Sequence, residues 1–194
     1  MSVSTRRDPA RALSDRSRAP ERAREATRGR LRASGQRLFA ERGLHAVTSH
    51  DIAEDAGVAA GTFYLHFRDK HELFRVLVFE AIAELSRRIE RDVHPLLGQR
   101  EAAARARAEV MLGFAEDHGE LVRMAFGRGS EAAGVGADAL DELAARLETG
   151  HTAVKAQAIV GMWARVVAWW AESPGRAPRE AVLQTMIEIQ TSGF

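Results

Sequence analysis

The sequence predicts an all-α protein of about nine helices, with an N-terminal three-helix domain followed by a larger C-terminal helical domain. Apolar residues recur at helical spacings, three to four or seven to eight positions apart, along most of the 194 residues. No stretch of useful length shows the alternation of apolar and polar residues that marks a β-strand. The predicted segments are 1–24, 25–72 and 73–194.

The composition excludes several classes of protein. The chain is 45% hydrophobic and 28% charged, which is typical of a soluble globular protein. It contains no cysteine, so it has no disulfide, thiolate metal site or cysteine nucleophile. Its longest apolar run, IVGMWARVVAWWA, is interrupted by Arg165 and is shorter than the roughly 18 residues that span a membrane. We therefore expect a cytoplasmic protein without a membrane partner.

The net charge of +1 conceals a difference between the two halves of the chain. Residues 1–92 contain 18 Lys or Arg and 14 Asp or Glu, whereas residues 93–194 contain 10 and 13. A basic N-terminal half favours an anionic partner such as nucleic acid. An ordinary solvated surface is the alternative interpretation of the same charges.

The segment 1–24 is rich in arginine and poor in large apolar side chains. Such a segment cannot bury enough surface to offset its ordering entropy, so we predict a disordered arm. Ten arginines lie within residues 1–32. The arm could therefore touch DNA phosphates, or it could remain free in solvent.

Capping residues define the helices of the N-terminal half. Gly43 is placed to end the first helix. Thr48 is a good N-cap for the second, with Asp51 in its first turn. Asp69 and Glu72 have the spacing of a capping box at the start of the fourth helix. The predicted helices cover about 25–42, 48–55, 59–66 and 70 to near Pro95.

The C-terminal half also has helical spacing throughout. A glycine-rich stretch, GRGSEAAGVGA, predicts a loop at residues 127–137. Pro178 suits the first turn of the last helix. The helices predicted here cover about 99–118, 121–126, 138–149, 152–172 and 178–190.

Two of the short helices have the lengths of a helix–turn–helix, with residues 48–55 and 59–66 joined by Ala56, Gly57 and Val58. The stretch TSHDIAEDAGVAAGTFYLHFRDKHELF, preceded by LFAERGLHAVT, resembles the DNA-binding region of the TetR family of transcriptional repressors. The resemblance is close over about residues 25–75 and looser beyond. It implies that 25–72 is a helix–turn–helix domain that binds double-stranded operator DNA. The implied DNA-binding residues are Thr48, Ser49, His50, Ala59, Ala60, Gly61, Thr62, Tyr64, His66 and Lys70.

The residue types fit contacts with a phosphate backbone. Gly61 allows a close approach, and Thr62, Tyr64 and His66 carry hydrogen-bonding groups suited to phosphate oxygens. Lys70 adds a cation near the start of a helix, a place that favours phosphate. For two of these side chains another role stays open, because Tyr64 could be a core aromatic and His66 a solvated or capping histidine. Phe63 and Phe67 are expected in the core.

The stretch departs from many family members at Ala59 and Ala60, where a polar or basic residue is common. Alanine can touch a thymine methyl group but cannot hydrogen-bond to a base edge. We therefore expect base reading to depend on Ser49, His50 and Arg68, or on DNA shape.

The resemblance implies that 73–194 binds a small-molecule effector and forms a homodimer. The helix at 152–172 is apolar around most of its circumference, so it must be covered on more than one side. With 178–190 it could form a four-helix dimer interface, or it could be the central core helix of a monomer. The candidate effector-binding residues, which could equally be plain core, are Met111, Phe114, His118, Met124, Phe126 and Trp163.

Motifs of enzymes and metal proteins are incomplete. HELFR begins like a zinc-protease HExxH, but Arg75 occupies the position of the second histidine. The sequence has no GxSxG, GKS or GKT. We predict a transcriptional repressor released by a small molecule, with no catalytic residues, cofactor or metal. The alternative is an effector-binding all-α protein or an enzyme that does not bind an operator.

Overall fold

The computed structural model of the protein describes residues 9–128, 132–147 and 153–192. These residues form nine α-helices and two 3₁₀ turns and contain no strand, so the all-α prediction is confirmed. The helices are α1 (Pro9–Ala46), α2 (Ser49–Asp55), α3 (Ala60–Tyr64), α4 (Lys70–Asp92), α5 (Arg100–Asp117), α6 (Gly119–Phe126), α7 (Ala133–Leu147), α8 (Ala153–Glu172) and α9 (Arg179–Ser192). The 3₁₀ turns are His94–Leu96 and Pro174–Arg176. No helix within the described ranges combines the length and the apolar character needed to cross a membrane.

The chain divides into two compact units, Met1–Leu73 and Phe74–Phe194. This division lies one residue from the predicted junction between 25–72 and 73–194. Helix α4 begins in the first unit and continues through the second, because its first residues are Lys70 to Leu73 and it ends at Asp92.

Helix α1 begins earlier than predicted. Residues 9–24 are helical in the structure, whereas the sequence predicted a disordered arm there; residues 1–8 lie outside the described residues. Side chains 19–26 are exposed, so burial does not explain this part of the helix. Its alanine, arginine and glutamate residues have high intrinsic helix propensity, which the prediction from apolar content overlooked. Gly43, predicted to end the helix, has φ 78° and ψ 162° and interrupts the helical geometry.

The core of the first unit is built from apolar side chains of all its helices. Phe63 and Phe67 are buried, as predicted, with ring centroids 5.7 Å apart. Gly35 permits a close contact with α4, because a Cβ at this position would lie 2.5 Å from Cδ2 of Leu73. The other fully buried side chains of this core include Leu31, Phe39 and Ile52.

The second unit is organised around α8. Helices α5, α6 and α7 all pack against α8, and α9 packs against α5. Trp163 of α8, Leu112 of α5 and Leu183 and Met186 of α9 are buried in this core. The apolar character of α8 is therefore partly explained by three helices of its own chain.

Helix α7 begins at Ala133, so the predicted loop at 127–137 was wrong over its last five residues. Residues 129–131 lie outside the described residues. The glycine at 136 serves packing, because an added Cβ would lie 2.1 Å from the backbone oxygen of Ala125 in α6. A glycine that allows two helices to approach was thus interpreted as a loop signal.

We predict that Gly136→Ala lowers the free energy of unfolding by about 1–3 kcal/mol, because α6 and α7 must separate to admit the methyl group. Urea unfolding measures the loss. Gly134→Ala is the matched control on the same helix, since nothing lies within 4 Å of a Cβ there. It should change stability by about 1 kcal/mol or less, in the stabilising direction. Equal losses in the two variants would contradict the close approach at Gly136.

Candidate nucleic-acid interface

Helices α2 and α3 are joined by a hydrogen-bonded turn. Gly57 lies in the turn with φ 65°, a backbone conformation that favours glycine. The N–H of Val58 donates to the oxygen of Ala53 at 3.0 Å, and the N–H of Ala56 donates to the oxygen of Ile52 at 3.0 Å. The turn therefore continues the hydrogen bonding of α2 and fixes where α3 begins.

A complete capping box begins α2. The Thr48 hydroxyl accepts from the N–H of Asp51 at 3.1 Å and donates to Oδ2 of Asp51 at 2.7 Å. The same carboxylate oxygen accepts from the Thr48 N–H at 2.8 Å. These bonds from Thr48 hold the pKa of Asp51 below its usual range. Sequence reasoning identified the cap but missed that Asp51 completes it, because the usual partner at this position is Glu or Gln.

The exposed face of α3 carries small side chains. Ala59, Ala60 and Gly61 are exposed, and Thr62 is half-buried. A Cβ at Gly61 would meet nothing within 4 Å. Phe63 points the other way and is fully buried. A flat, unobstructed face of this kind allows a helix backbone to come close to another surface.

Tyr64 is 62% exposed, so the core alternative for this residue does not hold. Its ring stands edge-on to Phe63, with centroids 5.5 Å apart. That contact orients the ring and leaves the hydroxyl at the surface of the first unit. The neighbouring Leu65 is 71% exposed and adds an apolar side chain to the same surface.

His66 is half-buried, and its pKa is lowered, first by burial and then by the charges of Arg24 and Arg28. At pH 7 it therefore offers a neutral ring rather than a cation, because its ordinary pKa is already near 6.5. Any phosphate contact from His66 is then a neutral hydrogen bond.

Two arginines of α1 bind backbone carbonyls at the ends of the short helices. Arg28 donates through Nη1 to the oxygen of His66 at 3.3 Å, and its guanidinium lies 4.6 Å from the ring centroid of Phe67. Arg30 donates through Nη1 to the oxygen of Ala56 at 3.3 Å. Cations at these positions satisfy carbonyls that a helix end leaves without a partner.

Lys70 also binds backbone carbonyls, at the C-terminal end of α1. Its Nζ donates to the oxygen of Leu44 at 2.8 Å and to the oxygen of His45 at 3.2 Å. An ammonium group has three donors, so one donor remains for another acceptor. We refer to Arg28, Arg30 and Lys70 as the carbonyl-binding cations.

The start of α4 differs slightly from the predicted capping box. The N–H of Glu72 donates to Oδ1 of Asp69 at 2.8 Å, as predicted. The carboxylate of Glu72 accepts from the N–H of Arg68 rather than Asp69, at 2.5 Å. The Arg68 side chain is 83% exposed and lies 3.3 Å from Oδ2 of Asp69.

The three polar side chains of His50, Asp51 and Glu54 gather on the exposed side of α2. One potential ligand atom from each lies within 4.8 Å of the others, a grouping that sequence reasoning did not predict. The capping box already accounts for the position of the Asp51 carboxylate. Exposed acidic groups commonly gather in this way without an ion.

The candidate effector-binding residues all lie in the second unit, on or between helices that pack together. Met111, Phe114 and Trp163 are buried, whereas Met124 and Phe126 are half-buried. The structure brings one predicted pair into direct contact, because the rings of Phe114 and His118 have centroids 4.8 Å apart.

His118 is tied to α4 by a polar network that sequence reasoning missed. Its Nε2 lies 3.2 Å from Oε2 of Glu84. Arg88 binds the same carboxylate through Nε at 3.0 Å and also lies 2.7 Å from Asp117. The pKa of Glu84 is lowered, chiefly by Arg88, so Glu84 is ionised at neutral pH. These residues of α4 and the end of α5 are far apart in the sequence, so no local pattern indicated the contact.

Comparison with known proteins supports the interpretation of the first unit. Residues 31–77 match the sequence model of bacterial regulatory proteins of the tetR family. The HTH-type transcriptional repressor KstR2 of Mycobacterium tuberculosis is 48% identical over 46 residues, which are 24% of this chain and 23% of that repressor. The chain therefore matches about a quarter of the length of this curated relative.

Solved structures extend the likeness to the whole fold. The fatty acid degradation regulator FadR from Bacillus halodurans superposes with a TM-score of 0.69 at 20% identity, over 86% of this chain and 95% of that chain. The transcriptional regulator FadR from Bacillus subtilis, solved in complex with stearoyl-CoA, gives 0.60 at 19% identity, over 85% and 98%. At these identities the likeness concerns the fold.

We predict that Thr48→Ala lowers the free energy of unfolding by about 1 kcal/mol, because it removes the hydroxyl of the capping box. Thr48→Ser keeps the hydroxyl and should retain most of the stability, as urea unfolding will measure. Equal losses for Thr48→Ala and Thr48→Ser would show that the hydroxyl does not matter.

The contribution of the Asp51 carboxylate to stability has a defined pH dependence. Because the pKa of Asp51 is lowered on folding, this contribution is present above the pKa of the unfolded chain and is lost as pH falls through the pKa of the folded protein.

Proposed function

We propose that the chain, whose residues 31–77 match the sequence model of the tetR family of bacterial regulatory proteins, represses transcription by binding a palindromic operator as a homodimer. A small-molecule effector bound by the second unit releases it. Its partner is double-stranded DNA, so its place of action is the cytoplasm. The observation that carries the proposal is the capped α2, the hydrogen-bonded turn and the exposed small-residue face of α3.

In the proposed complex, α3 enters the major groove and its N-terminal residues face the base edges. Gly61 and the two alanines before it let the helix approach closely. Thr62, Tyr64 and the free donor of Lys70 contact phosphates, which position the protein without reading sequence. Thr48 acts mainly through α2, since its hydroxyl hydrogen is already bonded to Asp51.

Base reading is assigned to side chains beside α3. His50 and Arg68 are exposed, and Ser49 is half-buried at the first residue of α2. Arginine forms the most frequent specific contact with guanine, through two parallel hydrogen bonds. Arg68 is a strong candidate because only Asp69 engages its guanidinium among the described residues.

A homodimer is proposed from the outer face of α8. Val154 is 79% exposed, Ala158 and Gly161 are exposed, and Met162 and Val166 are half-buried. These residues recur at spacings of three to four and form a mainly apolar stripe, which includes the exposed Arg165 and which the described helices of the same chain leave partly uncovered. A second copy would cover the stripe with the same residues, as in a symmetric interface.

The effector is proposed to be a small, largely apolar molecule held within residues 99–171. The support is the buried Met111, Phe114 and Trp163, together with the solved complex of B. subtilis FadR with stearoyl-CoA. An effector-binding all-α protein or an enzyme without operator binding is the competing proposal. An electrophoretic shift of the DNA upstream of its own gene separates the two, because only the repressor retards that DNA specifically.

We predict that Tyr64→Phe and Lys70→Ala weaken binding to all operator variants by similar factors, because both residues contact phosphates. Loss of Lys70 should also reduce the slope of log affinity against log salt by about one. Binding measured over a salt series checks both effects. The control is Arg105→Ala, which removes an exposed cation from α5 in the second unit, away from the proposed DNA-binding and dimer surfaces. A salt slope that is the same in Lys70→Ala and wild type would remove Lys70 from the phosphate contacts.

We predict reciprocal coupling between effector and operator. A ligand releases DNA only if it binds the released state more tightly than the bound state. A coupling of roughly 5–150-fold in operator affinity is the ordinary range, and linkage requires operator DNA to weaken the ligand by the same factor. Calorimetry with stearoyl-CoA, with and without operator DNA, measures this factor. Equal ligand affinities in the two titrations would contradict the switch even if the ligand binds tightly.

A further inference from the structure

Helix α1 carries four arginines between residues 24 and 32, and three of them are held within the first unit. Arg28 and Arg30 are carbonyl-binding cations, and Arg32 forms an ion pair with Glu25 at 3.7 Å. Arg24 is exposed, and its guanidinium has no hydrogen bond or ion pair with the described residues. The charge of Arg24 is therefore not used within the first unit.

Arg24 lies beside the C-terminal end of α3. It is four residues before Arg28, so the two side chains share one face of α1. Arg28 places that face, because it donates to the oxygen of His66 at 3.3 Å and its guanidinium lies 4.6 Å from the ring centroid of Phe67. A second sign of proximity is the pKa of His66, which is lowered first by burial and then by the charge of Arg24. The exposed cation and the end of the helix proposed to enter DNA thus belong to one surface.

The charges of this surface favour an anion. Arg24 and Arg28 are like charges one helical turn apart, a spacing at which they repel each other. Glu25, the acidic residue next to Arg24 in the sequence, is paired with Arg32. A phosphate beside Arg24 would relieve the repulsion, and an arginine can bind it through two parallel hydrogen bonds.

The position of Arg24 also fits the geometry of the proposed complex. When the N-terminal residues of α3 face the base edges, the C-terminal end of the helix is directed toward the rim of the major groove. The sugar–phosphate backbone forms that rim. The nearest acceptors for the Arg24 guanidinium are then phosphate oxygens rather than base edges.

We infer that Arg24 of α1 binds a DNA phosphate at the rim of the groove that α3 enters. The inference rests on the proposed operator binding and adds to it a residue outside 31–77, the range that matches the tetR sequence model. A phosphate contact positions the protein without reading the bases, so Arg24 strengthens binding to every operator variant alike.

Binding of Arg24→Ala to a DNA fragment that the wild type retards, measured over a salt series, tests the inference. The variant should weaken binding by about 2- to 5-fold for each bound protomer, the range of an exposed ion pair. The slope of log affinity against log salt should fall by about 0.9 for each protomer, because one phosphate fewer is neutralised. Arg24→Lys should keep the wild-type slope, since an ammonium group also neutralises a phosphate.

Arg22→Ala is the matched control. Arg22 is exposed on the same helix, and two residues turn an α-helix by about 200°, so Arg22 lies on the opposite side from Arg24. The control removes the same charge and should keep the wild-type slope. Equal slopes for wild type and Arg24→Ala, or equal reductions in the two alanine variants, would overturn the inference. Weakening by Arg24→Ala that differs from one operator variant to another would overturn it as well, because it would assign Arg24 to the bases.

An NMR titration of the free protein tests the position of Arg24 without DNA. Removal of its positive charge in Arg24→Ala should raise the pKa of His66 toward the ordinary value, whereas Arg22→Ala should leave that pKa unchanged. A pKa of His66 that is the same in wild type and Arg24→Ala would overturn the inference, because Arg24 would not lie beside the end of α3.

The outcome with wild-type protein separates this inference from the proposed function. Wild-type protein that retards no DNA from upstream of its gene contradicts operator binding itself, and the inference falls with it. Specific wild-type binding that does not depend on Arg24 overturns the inference alone and leaves the proposed function in place.

Discussion

A helix of five residues cannot hold its own shape in water, and this constraint governs the first unit. Helix α3 runs only from Ala60 to Tyr64, far below the length at which isolated helices become stable. Its conformation must come from outside. Burial of Phe63 fixes one side of α3, and the hydrogen-bonded turn at Gly57 fixes its start. The exposed face of α3 therefore keeps its position because burial and the turn hold the opposite face and the start of the helix.

Some of the basic side chains in the first half of the chain help to hold the short helices of the first unit in place. The surplus of cations suggested an anionic partner, yet the carbonyl-binding cations donate to backbone oxygens within the first unit. The charged group of each lies at the C-terminal end of another helix, where carbonyls lack intrahelical partners and the helix dipole favours positive charge. The same groups therefore shape the surface before any DNA is present. Charge counting alone overstates the number of cations that remain for phosphates.

Local signals predicted most of the fold. The capping threonine at 48, the glycine turn at 57 and the apolar spacing of α4 and α8 each lie within one element, and the structure agrees with them. Contacts between distant residues could not be predicted in this way. The Lys70 ammonium on carbonyls 25 and 26 residues earlier, and the bond between His118 and Glu84, depend on packing that no local pattern encodes. For the same reason, Gly136, which allows α6 and α7 to approach each other, was interpreted as a loop residue.

The central claim is that α3 is held as a recognition helix for the major groove. Dimethyl sulfate protection tests it most directly, because this reagent modifies guanine N7 in the major groove and adenine N3 in the minor groove. On a DNA fragment that the protein retards, the account predicts protection of guanine N7 in two half-sites centred about 10–10.5 base pairs apart, or a multiple of that spacing. Specific binding that leaves every guanine N7 reactive, or that protects only adenine N3, would contradict it.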